Sequence, residues 1–127
     1  MSFYWFCLFV AANALLLFTL AFNVSLVRRR FKISSGDGDQ PALQRAIRAH
    51  ANGVEYMPLF ALLVLALSLQ LAADMALAVL VLGFTLGRVM HALGMIGAVK
   101  LLRFWGAVIT YLWTAAAIIL LCWTLVV

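Results

Sequence analysis

The chain is short of almost everything a water-soluble domain shows to solvent. Of its 127 residues, nine are Lys or Arg and four are Asp or Glu, so 10% are charged, against about a quarter in ordinary soluble domains. Thirteen charged side chains cannot give a chain of this size a polar skin. Cysteine is scarce too. Cys7 and Cys122 stand near opposite ends in apolar sequence without a CxxC pattern, which excludes metal and redox motifs of that kind. They read as free thiols, small and hydrophobic. No basic residue occurs in 1–27. The positive region of a secretion signal is therefore missing, and the apolar run exceeds a signal core of about 7 to 15 residues. A retained first membrane span is expected. Internal repeats and low-complexity segments are absent.

What is present is apolar. Hydrophobic residues make up 68% of the chain, far too many for a disordered polymer. A helical span takes about 20 apolar residues, so there is room for four spans and no separate soluble domain. The expected fold is a single four-helix, all-α membrane protein, with spans at about 3–27, 42–72, 75–97 and 101–126. The stretch Ser34-Ser35-Gly36-Asp37-Gly38-Asp39-Gln40-Pro41 is dense in turn residues and is the one substantial loop. Asp39 or Ser35 is a candidate cap for the second helix, with Pro41 in its first turn. Short connections near Asp74 and near 97–100 favour antiparallel neighbours in an up-down-up-down bundle.

The net charge of +5 raises nucleic acid as a partner, and its distribution argues against it. Four spans put the first and third connections on one side. All nine basic residues lie there or in the helix halves nearest it. The positive-inside rule then places these loops in the cytoplasm and both termini outside, in a bacterial inner membrane. Trp5 and Trp123 would line one interface and Trp105 the other. The Arg28-Arg29-Arg30 cluster reads as topology determinant and lipid-headgroup contact.

Ionisable residues inside spans are costly and usually functional. At about 100° per residue, Arg45, Arg48, Asn52 and Glu55 fall at about 0°, −60°, −20° and −80°, a narrow polar stripe. His50 points to roughly the opposite side. On the third helix Arg88, His91 and Met95 fall at about 0°, −60° and −20°. From Leu71 back to Glu55 is about 24 Å, and from Met75 on to Arg88 about 20 Å. Equal depth predicts an Arg88–Glu55 ion pair. Pro58 lacks the N–H that would bond Val54 and permits a kink beside the site. One Glu cannot neutralise Arg45, Arg48 and Arg88, so the excess of cations suits an anion, above all a carboxylate met by Arg forks. Two His on different faces lack the further ligands a metal needs. Gly83-x-x-x-Gly87 has the spacing of close helix packing.

At these residues the sequence resembles the MAPEG family, the membrane-associated proteins in eicosanoid and glutathione metabolism. Arg45-x-x-Arg48-Ala-x-x-Asn52-x-x-Glu55 is similar to the family's second-helix motif, and Glu55-Tyr56-Met57-Pro58-Leu59-Phe60 continues it. Gly87-Arg88-Val89-Met90-His91-Ala92-Leu93-Gly94 resembles its third-helix motif. The resemblance implies a homotrimer that binds glutathione between subunits from the cytoplasmic side and passes it to a lipophilic small-molecule substrate. Arg45, Arg48, Asn52, Glu55, Tyr56, Arg88 and His91 are then the binding set. Arg103, near the start of the fourth helix, is then the residue that stabilises the thiolate, since a neighbouring cation favours the ionised sulfur. Met95 and Phe104 depart from the family's pattern, each standing where related synthases carry a hydroxyl. Besides a transferase or peroxidase, two other classes follow: a noncatalytic binding or scaffold protein of the same fold, and a four-span exporter. The exporter requires its intramembrane Glu unpaired, which neighbouring Arg residues oppose.

Overall fold

Apolar composition with few helix breakers gives four long helices. The computed structural model describes residues 2–70 and 72–126, in which α1 spans Ser2–Phe31, α2 Pro41–Leu69, α3 Asp74–Ile96 and α4 Lys100–Val126. The shortest, α3, has 23 residues and is about 34 Å long, enough for a hydrocarbon core of about 30 Å. All four are long and apolar enough to cross a membrane. Leu71, from which the depth of Glu55 is counted, lies outside the described residues.

The boundaries differ from expectation at the first loop. α1 continues past Val27 through the three arginines to Phe31. It stops where Lys32 takes φ 55° and the Ile33 N–H reaches back to the Arg28 carbonyl at 3.0 Å. Basic residues in a last turn complement the helix dipole, so the arginines belong to the helix itself. Arg28 also donates to the Gly36 carbonyl at 2.6 Å, tying the loop to the helix end. Neither Asp39 nor Ser35 caps α2. Gln40 is the N-cap residue without a side-chain cap bond, and Pro41 occupies the first turn. Asp39 stands outside the helix at φ 56°, its N–H bonded to the Asp37 carboxylate at 3.0 Å.

The helices run alternately up and down. α2 and α3 pack together in the middle, α1 and α4 each touch both of them, and α1 does not touch α4 among the described residues. An aromatic core joins the first three: Phe60 and Phe84 stack with centroids 3.8 Å apart, and Phe9 lies 5.3 Å and 5.6 Å from them. Asn13 crosses from α1 to α3, donating to Thr85 Oγ1 at 3.0 Å. The outward faces carry Leu15, Phe18, Leu62, Leu82, Leu112 and Ile119 in the open, as a lipid-facing surface requires. Cys7 and Cys122 are free and exposed.

The α3–α4 hairpin is the tightest contact, and it carries the site. A Cβ added to Gly106 would sit 2.7 Å from the His91 Cα, and one on Gly94 would sit 2.8 Å from the Arg103 Cα. Gly83 and Gly87 use the same device against Trp113 and Ile109, so the GxxxG spacing does mark close packing.

Candidate functional site

Arg88 is the least expected residue of the interior. It is 1% exposed, eight residues before the end of α3, hence about 12 Å below the basic end. A cation at such depth costs about 2.5–3.5 kcal/mol on insertion scales unless it is satisfied. The expected Glu55 partner does not supply this. Arg88 Nη2 donates instead to Asn52 Oδ1 at 2.7 Å, and among the described residues Arg88 and Glu55 form no ion pair. The reason is geometric. Glu55 lies one turn beyond Asn52 and about 60° around the helix, which leaves it exposed on the outer face.

The same side of Arg88 is closed by aromatics. Its guanidinium carbon is 5.7 Å from the Tyr56 ring centroid, in cation–π range. Tyr56 and Tyr111 share a hydroxyl–hydroxyl hydrogen bond of 2.9 Å and meet edge to face at 5.6 Å. Asn52, Tyr56, Arg88, Ala107, Thr110 and Tyr111 together line a small hollow between α2, α3 and α4. Arg88 Nε is buried there without a hydrogen-bond partner among the described residues. His91, one turn nearer the basic end, is 6% exposed, and its Nδ1 is likewise unpartnered.

The remaining sequence-predicted residues divide between two other places. Arg45 and Arg103 line one cavity of about 140 Å³ with Gly94, Met95, Ala98 and Lys100. Among the described residues three cations and no acidic side chain face it, and Arg45 Nε is buried and unpartnered. Arg48 is exposed and turns the other way, toward Asp37, Gln44 and Ile47. The 60° between Arg45 and Arg48 thus separates them, and the stripe is not one continuous surface within a protomer. His50 is half-buried. Met95 contacts the small apolar cluster of Leu20, Ala49 and Ala92, besides lining the Arg45 cavity.

The assembled groups are chiefly hydrogen-bond donors and cations. A site of this kind holds anions and oxygen acceptors. The family model described as the MAPEG family matches residues 6–123. The chain belongs to the MAPEG family. A curated relative, the inner membrane protein YecN of Escherichia coli K12, is 34% identical over 87 residues, 68% of this chain and 66% of the relative. The protein of the same name from Escherichia coli O6:H1 gives the same values. The matched stretch thus covers just under two thirds of these relatives' length. Membership fits four apolar helices in a multi-pass integral membrane protein.

Sequence reading missed Tyr111, Thr110 and Lys100. A signal for Tyr111 existed. The three residues between α3 and α4 set the hairpin register, and His91 lies against Gly106. Counting from there puts position 109 level with Arg88 and Tyr111 within the same turn.

Proposed function

We propose that this MAPEG protein binds glutathione and transfers it to lipophilic electrophiles. The observation that supports this most is Arg88, a cation buried at membrane depth whose hydrogen-bond partner is the neutral Asn52. In a family named for glutathione metabolism, an anionic tripeptide is the natural counter-charge. Arg45 and Arg48 take its carboxylates through bidentate forks. Asn52 and Tyr56 take polar backbone groups, Glu55 the amine, and Arg88 and His91 complete the binding set. Arg103, exposed at the mouth of the Arg45 cavity, stabilises the thiolate. The sulfur lone pair then forms the new S–C bond while the electrophile's leaving group departs with its bonding pair. With a hydroperoxide, the same thiolate would instead be oxidised as the O–O bond is reduced.

Arg48 and Glu55 face outward from the protomer, away from Arg88. They join the other ligands across a contact with a second copy, which is why we read the working unit as a homotrimer. The lipophilic second substrate enters from the surrounding membrane lipids. YecN is an inner membrane protein by name. We extend that location to this chain, with the basic loops in the cytoplasm and both termini outside.

Isothermal titration of glutathione into detergent-purified protein tests the reading. Saturable binding that weakens in Arg48→Ala supports it, and no binding to the wild-type protein overturns it. One observation favours a noncatalytic member. Met95 offers a thioether where a hydroxyl donor would assist, and it packs against apolar neighbours. Binding without thiolate absorbance or conjugation would establish that version. Glu55, exposed and without an ion pair to Arg88, meets one requirement of an exporter, and membership of this family argues against that class.

A further inference from the structure

We propose that the groove between α1 and α2 is a binding site for a lipophilic phenol, which lays its ring against Phe9 and Met57 and donates its hydroxyl to Asn13. The groove shares no residue with the glutathione set, and its occupancy does not require glutathione.

Asn13 supplies the polar group. Its side chain is 2% exposed, and its amide nitrogen donates to the Phe9 carbonyl at 3.0 Å and to Thr85 Oγ1 at 3.0 Å. A carbonyl can only accept, so the nitrogen must face Phe9, and this fixes the oxygen on the other branch. That oxygen, Oδ1, is buried without a hydrogen-bond partner among the described residues. An unmet buried acceptor is costly, above all where no solvent can reach it. Water is a poor remedy. A buried water takes about two to four polar partners, and Asn13 is the one polar residue among those that line the groove.

Shape and depth decide the donor. The groove encloses about 160 Å³, close to the roughly 150 Å³ that holds benzene in an apolar protein cavity. Its floor is Phe9, Asn13 and Met57, each at most 3% exposed, and its rim is Val10, Ala14 and Pro58, all exposed. Phe60 and Phe84 hold the Phe9 ring at 5.3 Å and 5.6 Å, so the floor presents a fixed aromatic surface. A guest ring gains edge or offset contacts with it, and the Met57 sulfur adds a favourable contact to an aromatic partner. Oδ1 itself is covered, and Met57, unbranched and adaptable, is the floor residue able to yield to an incoming hydroxyl. Asn13 lies eleven residues on from Ser2 in α1, about 16 Å along the helix and deep within a hydrocarbon core of about 30 Å. Lipid headgroups do not reach that depth, and an ammonium is costly to bring there. The guest therefore arrives through the bilayer, neutral and mostly apolar, with an O–H. An aliphatic alcohol carries the donor but gains nothing from the aromatic floor. A phenol with an alkyl tail meets both demands, its tail leaving over the exposed rim into lipid.

The test is fluorine NMR of a fluorinated para-pentylphenol titrated into the detergent-purified full chain without glutathione. Saturable binding is expected. The methyl ether of the same probe, which lacks the O–H, should bind about fivefold or more weakly, as loss of one hydrogen bond produces. Octanol, a donor without a ring, should not displace the probe at concentrations where unlabelled pentylphenol does. In Asn13→Leu the preference for phenol over ether should vanish. Ala14→Phe fills the rim from an exposed position without touching the amide, and it serves where Asn13→Leu does not fold. It should weaken phenol and ether alike by about tenfold or more, because the added ring overfills the groove. No saturable binding to wild-type protein, as when a second copy or an acyl chain fills the groove, overturns the proposal. So do equal affinities for phenol and ether, ready displacement by octanol, a preference that survives Asn13→Leu, or unchanged binding in Ala14→Phe. None of these outcomes depends on whether glutathione is bound or transferred.

Discussion

Replacing Asn52 with alanine leaves the Arg88 guanidinium buried without the one protein hydrogen bond it makes among the described residues. Arg88 is 1% exposed, its Nη2 bond to Asn52 Oδ1 is 2.7 Å long, and its Nε is already unpartnered. Losing a hydrogen bond to a charged group costs about 1.5–3 kcal/mol. Interhelical bonds between neutral groups in membranes average only about 0.6 kcal/mol, because the dissociated helices find other partners. A buried cation finds substitutes less easily, so the value should fall near 2 kcal/mol. That is about a 30-fold change in the unfolding equilibrium at about 1.4 kcal/mol per factor of ten.

The assay is unfolding in mixed micelles of dodecyl maltoside and increasing sodium dodecyl sulfate, followed by tryptophan fluorescence. Two double-mutant cycles share Arg88→Ala, one paired with Asn52→Ala and the other with Glu55→Ala. The Asn52 cycle should give a coupling of about 1–2 kcal/mol, and the Glu55 cycle below about 0.5 kcal/mol, as residues without a shared contact do. A compensated exchange, Asn52→Leu with Arg88→Met, should restore most of the stability, because replacing a buried polar pair by apolar groups is often neutral. Additive losses at Asn52 and Arg88, or strong coupling to Glu55 instead, would refute the assignment of the partner.

Gly106→Ala places a methyl group 2.7 Å from the His91 backbone, and helix backbone cannot move as a side chain tip can. It should destabilise the protein by about 1–3 kcal/mol in the same assay, and a loss below about 0.5 kcal/mol would mean that α3 and α4 are not so close. Arg48→Ala should weaken glutathione binding by about tenfold to a hundredfold, the loss of a charge-assisted bond, measured by calorimetry. Arg103→Leu should keep binding within a few-fold and lower the ultraviolet thiolate absorbance and aryl halide conjugation in parallel. Cysteines introduced at Ser35 and Asp74 should react with an impermeant maleimide from opposite sides of the membrane, Ser35 from the cytoplasm. Labelling from one side would remove the four-span topology.

The four helices were legible because their signal is compositional. About 20 apolar residues between polar breaks leave little choice, and the observed ends lie within a few residues of the expected ones. The largest error, at α1, arose from reading Arg28–Arg30 as a stop. Long basic side chains at a helix end reach the headgroup region while their backbone stays helical, so charge marks the membrane boundary and not the helix boundary. The cap of α2 was misjudged for a similar reason. An Asp next to a Gly can bond its own loop, and Asp37 does so by accepting from the Asp39 N–H.

Within the site, legibility ended where helix rotation and register enter. A pattern at about 100° per residue places Arg45 and Arg48 on one stripe, but 60° on a helix wedged between two others is enough to separate a cavity from the outer surface. Depth counting carried an error of one turn, and one turn is the difference between Asn52 and Glu55 as the partner of Arg88. That correction changes the chemistry. An Arg88–Glu55 pair would have been a closed, neutral device. Bonded to a neutral amide, Arg88 has no carboxylate partner among the described residues, and Arg45, Lys100 and Arg103 gather around a cavity that no acidic side chain lines among the described residues. The acids that the sequence provides are Asp37, Asp39, Glu55 and Asp74, and none of them lines either hollow. Of these cations Arg88 alone is fully buried, and a buried cation whose hydrogen-bond partner is a neutral amide suits an anion brought by a ligand. On the glutathione reading, adding glutathione should raise resistance to dodecyl sulfate in wild-type protein more than in Arg88→Met. Equal protection of the two would show that the bound anion does not answer this charge.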